Sequence, residues 1–565
     1  MNRKERFTSV IIALFCIGLQ SAAYCHDITN VSEGTGKSID SKYLKKTGNK
    51  WTAVIRGFER LKILDEKVKP EIKEKVFQNS NLFLHFVAYP VGSWPEAVAI
   101  GDVNGDGRND VVMTTSFYFD PESDYHIFVF LQNVLGELEP PVKYSAGNGN
   151  SVDIGDLNND GRNDVVVTAH NAIGVFYQNG SGGLNPMVTY PSNHFSVSNT
   201  YKLRIGDFNN DGLLDVVSID WGTQSPDVDV FLQNINGTLN PPVTYSVTHG
   251  GYDDLDVGDV NNDGLTDIIV MSGQGFYPNI GVLHQEINGT FGLPVYYDLG
   301  EDELTRGVAV GDINGDILED IVVSYGGNQP NSFIGTFLQN NSGTLNPAIS
   351  YPSYDIPEAV EIEDVNFDGR NDVIVAHGGW MAMGVYLQGA EGTLLPYELY
   401  QLPYASHYNP HGLDVGDINS DGANDVVIAD YNYGLVVLYH TPIPPEPDIK
   451  ANNSDGPLII LQGTILTITV SLVPGSYSGK EADWWVAATS PFGLYWYTLD
   501  SGWVRSNIPI RGYGGPLFNL SPYQVLNTTT LPIGDYTFYF GVDLLMNGVL
   551  NFDQLYYDGV NVDIE

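Results

Sequence analysis

One short acidic loop occurs seven times in this chain and dictates what the rest can be. Its form is D-x-N-x-D-G-x-x-D, met first between Asp102 and Asp110, and its opening aspartate returns at 156, 207, 259, 312, 364 and 417. The intervals are 54, 51, 52, 53, 52 and 53 residues. A fixed period of this size belongs to a stacked or radial repeat, in which each unit buries its apolar face against the next.

The spacing within the loop is that of a calcium site. Odd positions of a tight turn present their oxygens to one side, and the glycine at position 6 permits the sharp bend. The expected donors in the first copy are Asp102, Asn104, Asp106, the main-chain carbonyl of Arg108, and Asp110. The second copy offers Asp156, Asn158, Asp160, Arg162 and Asp164, and the third Asp207, Asn209, Asp211, Leu213 and Asp215. The fourth offers Asp259, Asn261, Asp263, Leu265 and Asp267, and the fifth Asp312, Asn314, Asp316, Leu318 and Asp320. The sixth has Asp364, Asn366, Asp368, Arg370 and Asp372, and the seventh Asp417, Asn419, Asp421, Ala423 and Asp425. Hard oxygens without His or Cys suit Ca2+, up to seven ions, and not zinc. A helix-loop-helix calcium hand would need Glu at position 12 and flanking helices, whereas β-strand patterns flank these loops. In the fifth copy Ile317 stands where the turn wants Gly, so that turn is expected to be made otherwise or to bind more weakly. Glu363 replaces the Gly that precedes most copies.

Four alternating apolar stretches accompany each loop. One leads in (Val98–Ile100, Val152–Ile154), one leaves (Val111–Val112, Val165–Val167), and a third ends in aromatic-x-Gln (Phe130 to Gln132, Phe231 to Gln233, Phe337 to Gln339). The fourth carries Pro then Tyr, as in Pro141 to Tyr144. Four short strands per unit mark a propeller blade. The seventh repeat stops after its third strand, while Phe86 to Gly92 reads as a fourth strand without a blade. Pairing the two would shut the ring and remove an exposed sheet edge. The expected fold is all-β: a seven-bladed β-propeller followed by a β-sandwich domain. The domains are a signal peptide (1–23), a basic segment (24–81), the propeller (82–440), a proline-rich linker (441–450) and an immunoglobulin-like sandwich (451–565).

These repeats resemble FG-GAP/VCBS repeats, which build the seven-bladed head of integrin alpha subunits and occur in many secreted bacterial proteins. The resemblance covers roughly 82–440 and implies calcium in the hairpin between a blade's first two strands. The C-terminal unit resembles accessory sandwich domains of secreted bacterial proteins, through aromatic strands such as Leu494 to Tyr497 and Tyr536 to Phe540.

The formal net charge of −43 argues against nucleic acid and for cations. Arg3, Lys4 and Arg6 before the apolar run Phe7 to Leu19, then Ser21-Ala22-Ala23, read as a secretory signal; a signal anchor is the alternative. Cys16 leaves with it and Cys25 stays alone, so no internal disulfide is expected and metal would have to serve as the staple. Residues 27–81 hold 12 of the 26 basic residues, against 11 basic and 60 acidic from 82 onward. Trp51, Val54, Ile55, Phe58 and Leu61 fall at helical spacing, so this segment is expected to be partly helical or a linker.

Propeller ligands are expected on the face opposite the acidic hairpins. The loops assigned there carry Trp94, Tyr118, Trp221, Tyr277, Tyr325, Trp380, Tyr408 and Tyr431, together with His170, His377, His407 and His411. Aromatic faces beside amides suit sugars or peptides. Four of the eight tryptophans lie between 484 and 503, where they serve either a core or a sugar platform. No nucleophile elbow, zinc motif or phosphate loop occurs. The expected function is a secreted or cell-surface calcium-binding adhesion protein, not an enzyme, whose partner is a surface glycan or protein. No membrane span is expected in the mature chain. A calcium-dependent polysaccharide lyase and a passive scaffold for a partner chain are the alternatives.

Overall fold

Each acidic loop lies between two stretches of Val and Ile that alternate on one side and run unbroken on the other, so the chain turns back on itself as a hairpin. In the computed structural model, which describes residues 44–47, 50–53, 82–91, 94–116, 125–147, 149–193, 200–220, 227–247, 252–272, 280–300, 304–405 and 407–565, that hairpin recurs with one register. The residue before the loop pairs with its ninth position every time: Gly101 with Asp110, Gly155 with Asp164, Gly206 with Asp215, and so on to Gly416 with Asp425. Glycine suits this place because neighbouring sheets approach closely. A Cβ on Gly101 would lie 2.8 Å from the Ile154 side chain of the next sheet, and one on Gly311 would lie 2.9 Å from Ile362.

The repeats form seven four-stranded antiparallel sheets among the described residues. Six run in chain order, from Trp94–Gly101, Asp110–Ser116, His126–Phe130 and Val142–Ser145 onward. The second strands are buried along their whole length, as Asp164–Ala169 and Asp425–Asp430 are, because a sheet packs on either side. Fourth strands such as Val188–Pro191 face solvent and are Thr- and Tyr-rich. The seventh sheet has three strands from the last repeat, Leu413–Gly416, Asp425–Asp430 and Gly434–Leu438; its fourth is Val87–Tyr89 from before the first repeat. The first and last sheets adjoin: Ile100 N–H donates to Asp414 Oδ2 (2.7 Å) and Asn109 Nδ2 donates to the Asp417 carbonyl (3.0 Å). The repeats therefore close as a β-propeller.

Residues beyond the ring form a three-stranded sheet (Glu446–Ala451, Leu466–Val473, Leu520–Thr528) and a seven-stranded one built around Glu481–Ser490, Gly534–Asp543 and Leu555–Ile564. The two share one core, with Ile468 and Leu472 from the first against Trp484, Phe538 and Phe540 from the second. Trp484, Trp485 and Trp496 are buried, which answers the two readings of the tryptophan cluster mainly as core; Trp503 is half-buried, and its indole N–H donates to the Val525 carbonyl across the sheets.

The chain divides into two units, Met1–Val76 and Phe77–Glu565. In the first, Leu44–Thr47 and Lys50–Ala53 pair as a hairpin. Trp51 thus lies in a strand and not on the helix its spacing predicted: a period inferred from five residues is outweighed by the polar–apolar alternation of Lys50 to Ala53. The rest of the basic segment, the expected signal sequence and both cysteines lie outside the described residues. No helix among those described is long and apolar enough to cross a membrane.

Candidate functional site

The seven loops are built by their own first aspartate. Its Oδ2 accepts the N–H of position 6 in every copy: Gly107 to Asp102, Gly161 to Asp156, Gly264 to Asp259, Gly369 to Asp364 and Gly422 to Asp417 at 2.8 Å, and Gly212 to Asp207 at 2.9 Å. The fifth copy keeps the same bond, Ile317 N–H to Asp312 Oδ2 at 2.8 Å, with Ile317 held at φ +68° and 90% exposed. The turn is therefore not made otherwise; it is kept at a conformational cost. Position 5 in turn accepts the N–H of position 7, as Asp106 does from Arg108 (3.0 Å) and Asp211 from Leu213 (2.9 Å). In three copies the position-7 guanidinium also pairs with that aspartate: Arg108 with Asp106, Arg162 with Asp160 and Arg370 with Asp368.

The ninth position is different. Asp110, Asp164, Asp215, Asp267, Asp320, Asp372 and Asp425 are each fully buried. One oxygen accepts a main-chain N–H from the second residue after the third strand, from Gln132 to Asp110 (2.9 Å) and so on to His440 to Asp425 (2.7 Å). Burial, opposed by those bonds and reinforced by the charges at positions 5 and 1, pushes five of these carboxyls up to about 7 and Asp425 to about 8. Asp267 is raised too, chiefly by burial.

Two observations bear on calcium. The Oδ1 atoms of Asn158, Asn209 and Asn261, the position-3 donors of three copies, are buried without a hydrogen-bond partner. The buried position-9 carboxyls face the like charges at positions 1 and 5 of their own loops. A hard divalent cation would satisfy both, so the donor set fits, with the position-1, 3, 5 and 9 side chains holding it and calcium supplying charge neutralisation and cross-linking of the turn. Among the described residues, however, no three His, Cys, Asp or Glu side chains converge as a metal-holding group. The aspartates are turned onto the loop's own amides, and an oxygen that accepts one N–H keeps a second lone pair for a cation.

His284 is a participant that the motif did not reveal. Its Nδ1 lies 2.9 Å from Asp267 Oδ2 and 3.0 Å from Asn261 Nδ2, inside the fourth loop. The contact with Asp267 raises the imidazole's pKa, and the first, third, fifth and sixth copies have leucine at this place (Leu131, Leu232, Leu338, Leu387). Also unforeseen is what the aromatic-x-Gln signature does. Gln233 Nε2 donates to the Asp156 carbonyl (3.2 Å) and the Leu214 carbonyl (2.9 Å), Gln285 to Asp207 (3.0 Å) and Gln339 to Asp259 (2.9 Å). These three glutamines each tie their sheet to the acidic loop of the sheet before.

On the opposite face the expected residues separate into two groups. Tyr325 and Tyr408 are core residues, and Tyr118, Trp221 and Tyr277 lie outside the described residues. Trp94 and Tyr431 stack in parallel, 5.2 Å apart at 8°, where the first and last sheets meet. Tyr431 hydroxyl donates to buried Glu96 (2.9 Å). Beside them His407, half exposed, sets its Nδ1 2.7 Å from Glu358, which also pairs with Arg306 (3.2 Å). Trp380 is 40% exposed in the sixth sheet. The other histidines differ: His170 is exposed, while His377 is fully buried, and burial lowers its pKa to about 3.

His411 plugs the ring's axis. Its Nδ1 lies 2.6 Å from Ser151 Oγ and 2.8 Å from the Arg204 guanidinium, and its Nε2 lies 2.9 Å from Asp254. Because Arg204 only donates, Nδ1 accepts and Nε2 carries the proton, which it donates to the Leu255 carbonyl (3.4 Å). Burial, Arg204 and Lys202 hold this imidazole well below its usual pKa. The three residues sit in a serine–histidine–aspartate order but cannot work as a hydrolytic triad. The base is already saturated by a cation, and Ser151 Oγ is occupied by the Leu203 main chain (3.3 Å to both N and O).

The family model for an FG-GAP-like repeat matches residues 102–167, 156–218, 207–270 and 364–428. The fifth loop, with Ile317, lies outside these segments. No curated protein matches the chain. Among solved structures, an Agrocybe aegerita lectin that recognises non-reducing terminal N-acetylglucosamine aligns at 18% identity and TM-score 0.42, over 60% of this chain and 86% of that one. A chain of the BBS1N–ARL6DN complex aligns at 13% identity and TM-score 0.42, over 63% and 96%. A putative 6-phosphogluconolactonase from Bacteroides uniformis aligns at 14% and 0.39, over 54% and 85%.

Proposed function

We propose that this FG-GAP-like repeat chain is a secreted, calcium-stapled seven-bladed propeller, with a C-terminal immunoglobulin-like sandwich, that works by binding. Its ligand is a surface glycan or protein, held on the face opposite the acidic loops. The observation that carries this reading is the Trp94–Tyr431 stack beside an imidazole set by Glu358. Flat aromatic surface next to an oriented imidazole edge is the chemistry that recognises a sugar ring or an extended peptide. Both carboxylates behind it, Glu96 and Glu358, are buried and hydrogen-bonded, so they position these groups instead of reaching the ligand themselves. The calcium part of the reading is supported by the unpartnered asparagine oxygens and by the crowding of three carboxylates in each loop.

The test is a glycan-array and matrix-protein screen of the calcium-loaded protein, repeated with Trp94→Ala and with chelator. Binding by the parent protein that falls at least tenfold in the variant supports the reading. Failure of the folded, calcium-loaded protein to bind any glycan or matrix protein would overturn it. The lyase alternative needs a group at this face able to exchange protons, and His407 is the one in place. Unsaturated product that accumulates with bound polysaccharide and disappears in His407→Ala would replace binding by catalysis.

A further inference from the structure

The chain leaves the ring at a point where the repeat pattern is broken twice. In the last repeat the bridging glutamine is replaced by His440, and in the sixth loop the fourth position, elsewhere Gly, Asn or Ser, is Phe367. The two substitutions face each other, with rings 5.2 Å apart at 87°, and Phe83 packs on the imidazole as well, at 5.7 Å. His440 Nδ1 lies 2.7 Å from the next residue's carbonyl, and the imidazole also bonds to the main chain of Val365 in the sixth loop, so an aromatic ring stands where other copies have an amide. Its main-chain N–H donates to Asp425 of the seventh loop (2.7 Å). One residue therefore touches the sixth loop through its ring and the seventh through its backbone.

The linker begins at the next residue and is short. Thr441 N–H donates to the Leu82 carbonyl (2.6 Å). Ile443 exchanges two hydrogen bonds with Ser476 of the C-terminal unit, N–H to Oγ at 3.0 Å and Ser476 N–H to the Ile443 carbonyl at 3.1 Å. Gly475, at φ +57°, permits this approach: a Cβ there would lie 2.4 Å from the Ile443 oxygen. Three residues from His440 to Ile443 span about 11 Å at full stretch. Over that length a displacement of His440 is passed on to the C-terminal unit.

We propose that calcium in the sixth and seventh loops controls the mounting of the C-terminal two-sheet unit on the ring. This rests on the calcium reading above. With metal held, Asn366 and Asp368 fix Phe367 between them, Phe367 fixes His440, and the linker leaves in one direction. Without it the carboxylates of both loops repel, Phe367 loses its place, and the C-terminal unit swings free. The bound state is then an oriented pair of modules and the calcium-free state a loose one.

Small-angle scattering in millimolar calcium tests this with single-loop variants. Asp364→Asn and Asp417→Asn should each raise the maximum dimension and give a flexible two-body profile, while Asp207→Asn, on the far side of the ring, should scatter like the parent. Phe367→Asn, the residue of the second, third and fourth copies, should loosen the pair while the calcium stoichiometry measured by titration stays unchanged; it keeps the test sharp if an aspartate variant misfolds. Equal profiles for the Asp364 and Asp207 variants, or a Phe367→Asn protein as rigid as the parent, would overturn the proposal and leave the calcium reading standing. Calcium titration with no bound ion would overturn both.

Discussion

At Ile317 the fold keeps a conformation that its residue resists. The main-chain bond to Asp312 is the one six glycines make, so the loop's hydrogen bonds decide the backbone and the side chain pays in strain. Left-handed backbone costs an L-residue about 1–2 kcal/mol, and glycine returns roughly 0.5–1 kcal/mol of that in the entropy of the unfolded chain. The isoleucine is 90% exposed, so no burial is lost on removing it. Ile317→Gly should therefore stabilise the ring by about 1 kcal/mol, read as a higher calorimetric Tm in calcium. His284 presents the reverse case, a side chain inserted where other copies have leucine. Its hydrogen bond to Asp267 occupies an oxygen expected to bind the cation. His284→Leu should tighten calcium binding at the fourth loop by roughly tenfold, the worth of about 1.5 kcal/mol for one charge-assisted hydrogen bond. A wild-type affinity left unchanged by this substitution would mean that the fourth loop does not take the ion through Asp267. The loop residues were legible because they repeat at fixed spacing. His284 was not, because its role depends on a contact 23 residues away in a single copy.

At the level of the sheet, the strands and their closure could be read from the chain, since alternation and a missing fourth strand are both visible in it. The glutamine bridges could not, because each joins a side-chain amide to a main-chain carbonyl about 80 residues away, as Gln339 does with Asp259. The same glutamine also caps the Glu319 carbonyl at 3.0 Å, so two main-chain acceptors depend on one amide. Gln339→Leu keeps the bulk and leaves both carbonyls unpaired, at a cost of about 1–3 kcal/mol in urea denaturation. Because the bridge ends on the first residue of the fourth loop, the loss should be larger with calcium present than without it. Closure makes a separate demand. Val87–Tyr89 covers the edge of Gly434–Leu438, so a chain begun after residue 91 would expose that edge. Such a truncated protein is expected to self-associate in size-exclusion chromatography at concentrations where the full chain does not. The aromatic face was legible only in part. Parallel stacking brought Trp94 and Tyr431 together, but Tyr325 and Tyr408 turned inward, since a strand-end aromatic packs on whichever side is apolar.

Over the whole ring, these loops give a pH dependence whose sign depends on the metal. In the metal-free protein seven buried carboxyls, pushed up chiefly by burial, bind protons more tightly folded than unfolded. A group whose folded pKa exceeds its unfolded value contributes stability below the unfolded pKa and loses it as pH rises through the folded one. For Asp110 and its equivalents that window runs from the ordinary value of 3.8 up to about 7. Three histidines oppose this. His377, His411 and His440 are held neutral by burial, and protonating them in the unfolded chain favours unfolding as pH falls below about 6.5. His284, raised by its contact with Asp267, changes in the same sense as the carboxyls, and seven carboxyls outnumber three histidines, so the Tm in excess EDTA should climb as pH falls from 8 to 6.5 and go on climbing below it. In calcium the slope should reverse. A cation binds the ionised carboxylates, so acidification must first displace it, and a ligand held only by the folded state stabilises less as it is displaced. Melting curves at pH 6.5 and 8, each with calcium and with EDTA, give the four temperatures needed. The calcium-dependent difference should be larger at pH 8 and should lie mainly in the propeller transition, with the C-terminal sheets, which lack this loop, melting at nearly the same temperature throughout. Parallel pH slopes with and without calcium would mean that the buried ninth-position aspartates are not where the ion is held.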